Sequence, residues 1–468
     1  MNLIIPEDFS TTHKTKVKMA SFMMQLNGGR ELVNEQKAQE LIAAIDVTNP
    51  THICLSNKSF DNGAAEKIAE YLKTLENVTV ADISDIIAGR PEDEALRTLN
   101  IICSSLKKFN LTEVNLSDNA LGAKGVEECK DVLLGDSLEK LFVCNNGLSA
   151  EAGELLAKII LREEGASEGS KVPVLKLFHF YNNMSGDGGA KAIARIVQAC
   201  PELSDFRFSA TRSTPVGCES IAAALATLPN LRRLDLCDNN FKGQAGALLV
   251  RALRSKSQLE YLNLRDDALQ CGGHGEDGLT LFNALVEAAA AGSSLAHLDL
   301  SGNNFDAAAA EQLSRALEHL PGLTSFYMDD CEVGSKGARH IAAVLKKLTN
   351  LRTLSLCTCE ITASGAYILA RAVAKLPNFV NLELNGNAIC EAGVDAIRSV
   401  LQGAGKVLGD LEDNDEDGDD DLEDALAEFE AQDTAAEDDD EEEQLVAAFQ
   451  QQALSSSKDS ADGAKEEN

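Results

Sequence analysis

Tryptophan is missing from the 468 residues, and aromatics make up only 4% of them. The core is therefore aliphatic, which suits many small stacked units better than one large globule. No GxxxxGK[ST] segment occurs, which excludes nucleotide binding through a P-loop and an array attached to an ATPase module. HExxH, GxSxG and paired Cys/His sets are also missing, which removes the usual hydrolase and zinc readings. No apolar run approaches the roughly 18 residues of a membrane span. "SFMMQL" near the N-terminus is too short for a signal core. The twelve cysteines include no CxxC pair. Most stand where a small apolar residue would serve, so reduced, buried thiols of a cytosolic protein are expected.

Positive charge is scarce. The net charge is −33, and residues 410–468 carry 25 Asp/Glu against Lys458 and Lys465. A surface of that sign disfavours nucleic acid and anionic lipid as partners. The segment 410–468 reads as a disordered acidic tail. Two short apolar patches interrupt it, at 422–429 and 443–448, with the character of partner motifs.

What the chain does have is a period. The pattern LxxLxLxxNxL appears as "LTEVNLSDNAL" from Leu111, "LEKLFVCNNGL" from Leu138 and "LRRLDLCDNNF" from Leu231. It returns as "LAHLDLSGNNF" from Leu295, "LRTLSLCTCEI" from Leu351 and "FVNLELNGNAI" from Phe379. Weaker copies begin at Pro50, Val78, Leu175, Leu203, Leu259 and Leu323, giving twelve units, most of them 28 residues apart, with longer spacings of 33, 37 and 36. Segments such as "GARHIAAVLKKL" follow with helical periodicity. A strand, a turn and a helix per unit predict an α/β leucine-rich-repeat horseshoe of the ribonuclease-inhibitor type, with an inner parallel sheet and outer helices. The expected organisation is an N-terminal extension over 1–25, about twelve repeats over 26–409, and the tail over 410–468.

The ninth motif position points inward, where its side chain bonds the backbone of adjacent turns. Asn119, Asn146, Asn183, Asn239, Asn303 and Asn387 occupy it, with Cys331 and Cys359 as substitutes, and Asp267 and Thr211 in the same role. The position before it faces out over the rim. Asp85, Asp118, Asn145, Asn182, Asp238, Asp266 and Asp330 stand there, a row of short polar groups that is either solvated turn or binding surface. The unit from Val78 departs from its sisters: it carries Ile86 at the ladder position and then Gly89-Arg90-Pro91 in an enlarged loop. Gly89 and Pro91 restrict the backbone on both sides of the arginine.

Other segments read as structure. "GDGG" at 186–189 is a turn, because its spacing fails the dinucleotide pattern. His274 and Cys271 share the insertion "CGGHGEDG", too few ligands for a metal site. "DNDEDGDDDLED" at 413–424 begins like a calcium loop but ends on Asp424 where a glutamate is needed, so no cofactor or metal is expected.

"SDIIAGRPEDEAL", "VNLSDNALGAKG", "NNMSGDGGA" and "DFRFSATR" resemble the corresponding stretches of Ran GTPase-activating proteins, especially those of plants. The resemblance covers about residues 25–409. It implies an activator of GTP hydrolysis on the small GTPase Ran, with no nucleotide-hydrolysing site of its own, which keeps Ran-GTP high only in the nucleus and so gives nuclear transport its direction. It implies Ran-GTP as the partner, with or without a Ran-binding protein, and a monomer docking through the rim of turns after the strands. By motif, Asn145 matches the asparagine that orients the GTPase's own switch glutamine. Arg90 matches the arginine that secures the interface without acting as a finger. Asp85, Asp118 and Asn182 fall in the same partner-binding row. Plant members also carry a Trp-Pro-Pro targeting module. The lack of tryptophan argues against it here, so the expected location is cytoplasmic, at most perinuclear.

The competing class is a non-catalytic binding scaffold or inhibitor, such as a ribonuclease-inhibitor-like horseshoe. Such a protein anchors its partner on large aromatics of the inner face. The near absence of Tyr and Trp there is the expectation that counts against it.

Overall fold

A computed structural model describes residues 23–26, 28–165, 167, 169–269, 280–415 and 421–422. The insertion holding Cys271 and His274, most of the calcium-like segment and both apolar patches beyond Leu422 lie outside the described residues. Two compact units divide the chain after Leu295.

In the first unit the strands Met23–Gln25, His52–Cys54, Val80–Asp82, Glu113–Asn115, Lys140–Phe142, Leu177–Tyr181, Asp205–Ser209, Arg233–Asp235 and Tyr261–Asn263 lie side by side in that order. They are parallel, and equivalent motif positions pair: Val114 sits beside Leu141 and Leu141 beside Phe178. That register follows from the period, since a slip of one residue would turn every apolar side chain outward. Val114, Leu141, Phe178, Phe206, Leu234 and Leu262 are all fully buried. The second unit repeats the arrangement with His297–Asp299, Ser325–Tyr327, Thr353–Ser355, Asn381–Glu383 and Val407–Leu408. Each unit is a leucine-rich-repeat solenoid: parallel strands form one wall and the following helices pack side by side as the other. Met23–Gln25 and Val407–Leu408 add a strand before the first and after the last of the twelve units counted in the sequence.

The helices form because their apolar residues fall three and four apart. In Ala150–Ile160 the buried set is Ala152, Leu156, Ala157, Ile159 and Ile160, and the Ser149 hydroxyl caps the first turn by accepting from the Ala152 N–H at 3.3 Å. Small residues let neighbouring helices approach. A methyl group added at Gly153 would meet the Gly189 Cα at 3.3 Å. "GDGG" opens the helix Gly186–Ala199, and the Asp187 carboxylate accepts from the Thr214 N–H at 2.8 Å.

The inward asparagines form the ladder. The Asn119 N–H donates to Asn146 Oδ1 at 2.9 Å, and the Asn146 N–H to Asn183 Oδ1 at 3.1 Å. Asn239 Nδ2 donates to the carbonyls of Phe208 and Leu236 at 2.8 and 2.6 Å. Thr211 Oγ1 donates to Asn239 Oδ1, and the Cys359 thiol donates to the Met328 carbonyl at 3.0 Å. Two further members carry no asparagine motif in the sequence pattern. Lys58 holds the equivalent place in the unit from Pro50 and donates to the carbonyls of Gly28 and Gly29. Asn414 Oδ1 accepts from the Asn387 N–H at 2.6 Å.

Asp267 fills its ladder place at a cost. It is fully buried, accepts from the Asn239 N–H at 3.3 Å, and leaves Oδ2 without a partner. Burial pushes its carboxyl well above the ordinary carboxylate range. The folded chain therefore keeps a proton that the unfolded chain has lost. Stability falls as pH rises from about 4 toward the folded value. Asp267→Asn places Nδ2 where Leu236 and Leu264 offer the counterparts of the carbonyls that Asn239 bonds. It should stabilise the protein by roughly 1–3 kcal/mol at pH 7 and flatten this slope. Urea midpoints measured from pH 4 to 8 check both.

The eleven described cysteines are free thiols, and all but Cys237 and Cys357 are buried. Among the described residues no helix is long and apolar enough to cross a membrane.

Candidate functional site on the rim

The turn before each ladder residue bends through the left-handed region. Asp85, Asp118, Asn145 and Asn182 have φ of 50°, 63°, 51° and 52°, and Asp238, Asp266 and Asp330 have 58°, 54° and 52°. Asp and Asn tolerate this conformation better than other residues with a Cβ. Backbone geometry alone therefore accounts for the short polar type along the row, and any binding role rests on what each side chain does.

Three members of the row are joined. Asn182 Nδ2 donates to Asn145 Oδ1 at 2.7 Å, and Asn145 Nδ2 donates to Asp118 Oδ1 at 2.7 Å. Their backbones are fixed as well: the N–H groups of Asp118, Asn145 and Asn182 donate to the carbonyls of Cys144, Tyr181 and Ser209 at 2.9, 2.8 and 3.0 Å. All three side chains are exposed, whereas Asn119, Asn146 and Asn183 one residue later are buried. The scaffold beneath is stiff. Phe178, Phe180, Phe206 and Phe208 are fully buried under the two longest strands, and the rings of Phe180 and Phe208 stack 6.0 Å apart. Ala210 stands at the row's next position and cannot extend the chain of amides. Met184, 53% exposed, follows two residues after Asn182, and its methyl carbon lies 4.0 Å from where a Cβ at Gly147 would stand.

Asp85 is set apart from this trio by an ion pair with Arg30, a residue that carries no signal in the sequence. Arg90 is turned into the body. Its Nε donates to Ser59 Oγ at 3.0 Å, and its Nη2 donates to the carbonyls of Ser59 and Val33 at 2.5 and 3.3 Å. Nη1 lies 3.7 Å from Glu94, and only 14% of the side chain is exposed. The arginine thus ties its loop to the two-stranded sheet formed by Glu31–Val33 and Lys58–Phe60. Ile86, at the ladder position, is buried and donates its N–H to Asn119 Oδ1. Its acceptors are Ser59 and Val33, so Arg90 braces the loop of a unit that has no ladder asparagine.

The rim of the second unit holds a cleft of about 620 Å³ lined by Asp330, Glu332, Glu360, Asp413 and Asp415 among others. Among the described residues no cluster of His, Cys, Asp and Glu is placed to hold a metal ion. The strands are less bare of aromatics than the sequence suggests, since three of the five tyrosines, Tyr181, Tyr261 and Tyr327, lie on them. The Arg207 guanidinium sits 3.8 Å from the centre of the Tyr181 ring.

The family described as "Leucine Rich repeat" matches residues 107–128, the segment that carries Asp118 and Asn119. The chain is similar to RAN GTPase-activating protein 1 of Arabidopsis thaliana, at 38% identity over 120 residues, 25% of this chain and 22% of that protein. It is similar to Ran GTPase-activating protein 1 of Saccharomyces cerevisiae, at 30% identity over 235 residues, 48% of this chain and 58% of that one. Ribonuclease inhibitor of Sus scrofa is 29% identical over 240 residues, 50% of this chain and 48% of the inhibitor. The chain thus spans about a fifth of the plant relative and a little over half of the yeast one.

Proposed function

We propose that this protein stimulates GTP hydrolysis by the small GTPase Ran in the cytoplasm. The carrying observation is the Asn145 amide, exposed on a rigid turn, within a chain similar to Ran GTPase-activating proteins of a plant and a yeast. A Ran-type GTPase already holds Mg²⁺ and a phosphate loop; the slow part is ordering the glutamine that positions the attacking water. Asn145 uses one N–H and one lone pair within the row, which leaves one of each for a visitor. Those two free groups complement the primary amide of a glutamine side chain. Ordering that glutamine converts a search among rotamers into a preset geometry. Activators of this class raise hydrolysis by up to about 10⁵, roughly 7 kcal/mol of barrier. Asp118, Asn182 and Asp85 flank the contact, while Arg90 keeps the neighbouring loop in place. The acidic rim and tail suit a GTPase with a basic face, with or without a Ran-binding protein alongside.

Single-turnover hydrolysis of GTP on Ran, with catalytic amounts of this protein, tests the reading. Acceleration of at least about 10³ is expected; none would refute it. The second reading, a non-catalytic binding scaffold, is favoured by the likeness to ribonuclease inhibitor and by Tyr181, Tyr261 and Tyr327 on the strands. It expects tight binding of a protein partner that is lost with Tyr181→Ala while Asn145→Ala has no effect.

A further inference from the structure

We infer that Asp118 and Asn182 are positioning residues that fix which way round the Asn145 amide faces, and so set its catalytic competence. The inference rests on the proposed activity. An ionised carboxylate can only accept hydrogen bonds. The bond from Asn145 to Asp118 therefore fixes Asn145 Nδ2 on the Asp118 side and Oδ1 on the Asn182 side. Asn182 has to donate to that oxygen, and its Nδ2 does so. The order of the three residues gives the relay one polarity. Neutral amides at both ends would allow both orientations of Asn145. The glutamine amide of a docked GTPase would then meet the wrong group half of the time or more.

The polarity can be reversed without changing side-chain shape. In Asn182→Asp, Asn145 lies between two carboxylates, and its Oδ1 faces one of them in either orientation. In Asp118→Asn the lock is lost but both bonds can still form. In the double variant Asp118→Asn/Asn182→Asp every bond is restored with Asn145 flipped. A merely structural relay would recover activity along with its bonds in the double variant. A positioning relay would not.

The experiment measures kcat and KM for hydrolysis of GTP on Ran, thermal midpoints, and the side-chain amide resonances of protein labelled with ¹⁵N-asparagine. Asn182→Asp should lower kcat about 100-fold, the cost of a misplaced catalytic group, with KM changed less than about threefold. Asp118→Asn should lower kcat by about threefold to tenfold. The double variant should regain the wild-type thermal midpoint while kcat stays about 100-fold down. Recovery of kcat in the double variant overturns the inference. So does an Asn145 amide resonance that is unmoved by Asp118→Asn, whatever the protein does to Ran. If wild type accelerates nothing, the proposed activity fails while the resonances still report whether the relay exists.

Discussion

Asn145→Ala is expected to lower the stimulated rate on Ran by roughly 100- to 1,000-fold, about 2.7–4 kcal/mol of barrier, with little loss of affinity. The split between rate and affinity follows from where the residue sits. One short side chain on an exposed turn contributes little contact area, so its removal leaves most of any interface intact. It removes the only group that the proposal assigns to the switch glutamine. The fold should survive with a cost of about 1–2 kcal/mol for alanine in the left-handed turn, because the residue is exposed and the ladder contact belongs to Asn146, one position on. Stopped-flow single-turnover rates at saturating activator, alongside binding of Ran loaded with a non-hydrolysable GTP analogue, separate the two effects. Arg90→Ala should fail differently. It strips donors from the Ser59 and Val33 carbonyls and loosens the loop, so a lower thermal midpoint should accompany any loss of rate. An affinity drop with an unchanged midpoint would instead assign Arg90 to the interface.

The repeat and its ladder were legible because they depend on local pattern. A leucine every few residues and an asparagine at a set offset report a strand edge, a turn and an inward amide, and Asn119, Asn146, Asn183, Asn239 and Asn387 all make the expected bonds. The rim row was legible as a row, but no residue pattern marks its left-handed backbone, and that conformation favours Asp and Asn whatever they bind. Arg90 shows a deeper limit. A long cation in a loop turns toward whichever carbonyls lie open nearby, and those of Val33 and Ser59 belong to units 57 and 31 residues earlier. Nothing in "GRP" announces them. Lys58 is illegible for the same reason: a lysine on a strand reads as exposed, and only the fold brings its ammonium among the Gly28 and Gly29 carbonyls and Glu31.

A chain cut after Gly409 should be less stable in its second unit than a chain cut after Leu422, by about 2–4 kcal/mol, on account of lost hydrogen bonds and lost apolar burial. Composition draws the edge of the repeats at 409, yet several partners lie beyond it. Asn414 bonds the Asn387 backbone, and Asp413 exchanges two bonds with Asn385. The Asp421 carboxylate accepts from Thr362 Oγ1 at 2.6 Å and from the Ser364 N–H and Oγ at 2.9 and 2.6 Å, which caps the helix Ala363–Ala374. Leu422 is buried beside it. One aspartate among 25 acidic residues in that segment gives no sequence signal of this contact. The pH dependence identifies it. Partial burial pushes the Asp421 carboxyl up, but the bonds from Ser364 and Thr362 outweigh that and hold it below its ordinary value. Its contribution is therefore complete above about pH 4 and is lost as pH falls through the depressed folded value. The stability gap between the two chains should narrow in acid by the same amount as the gap between wild type and Asp421→Asn. Amide exchange in the helices Ala363–Ala374 and Glu391–Gly403, followed from pH 3 to 7, reads it directly. Equal protection in both truncated chains at pH 7 would mean that the cap adds nothing.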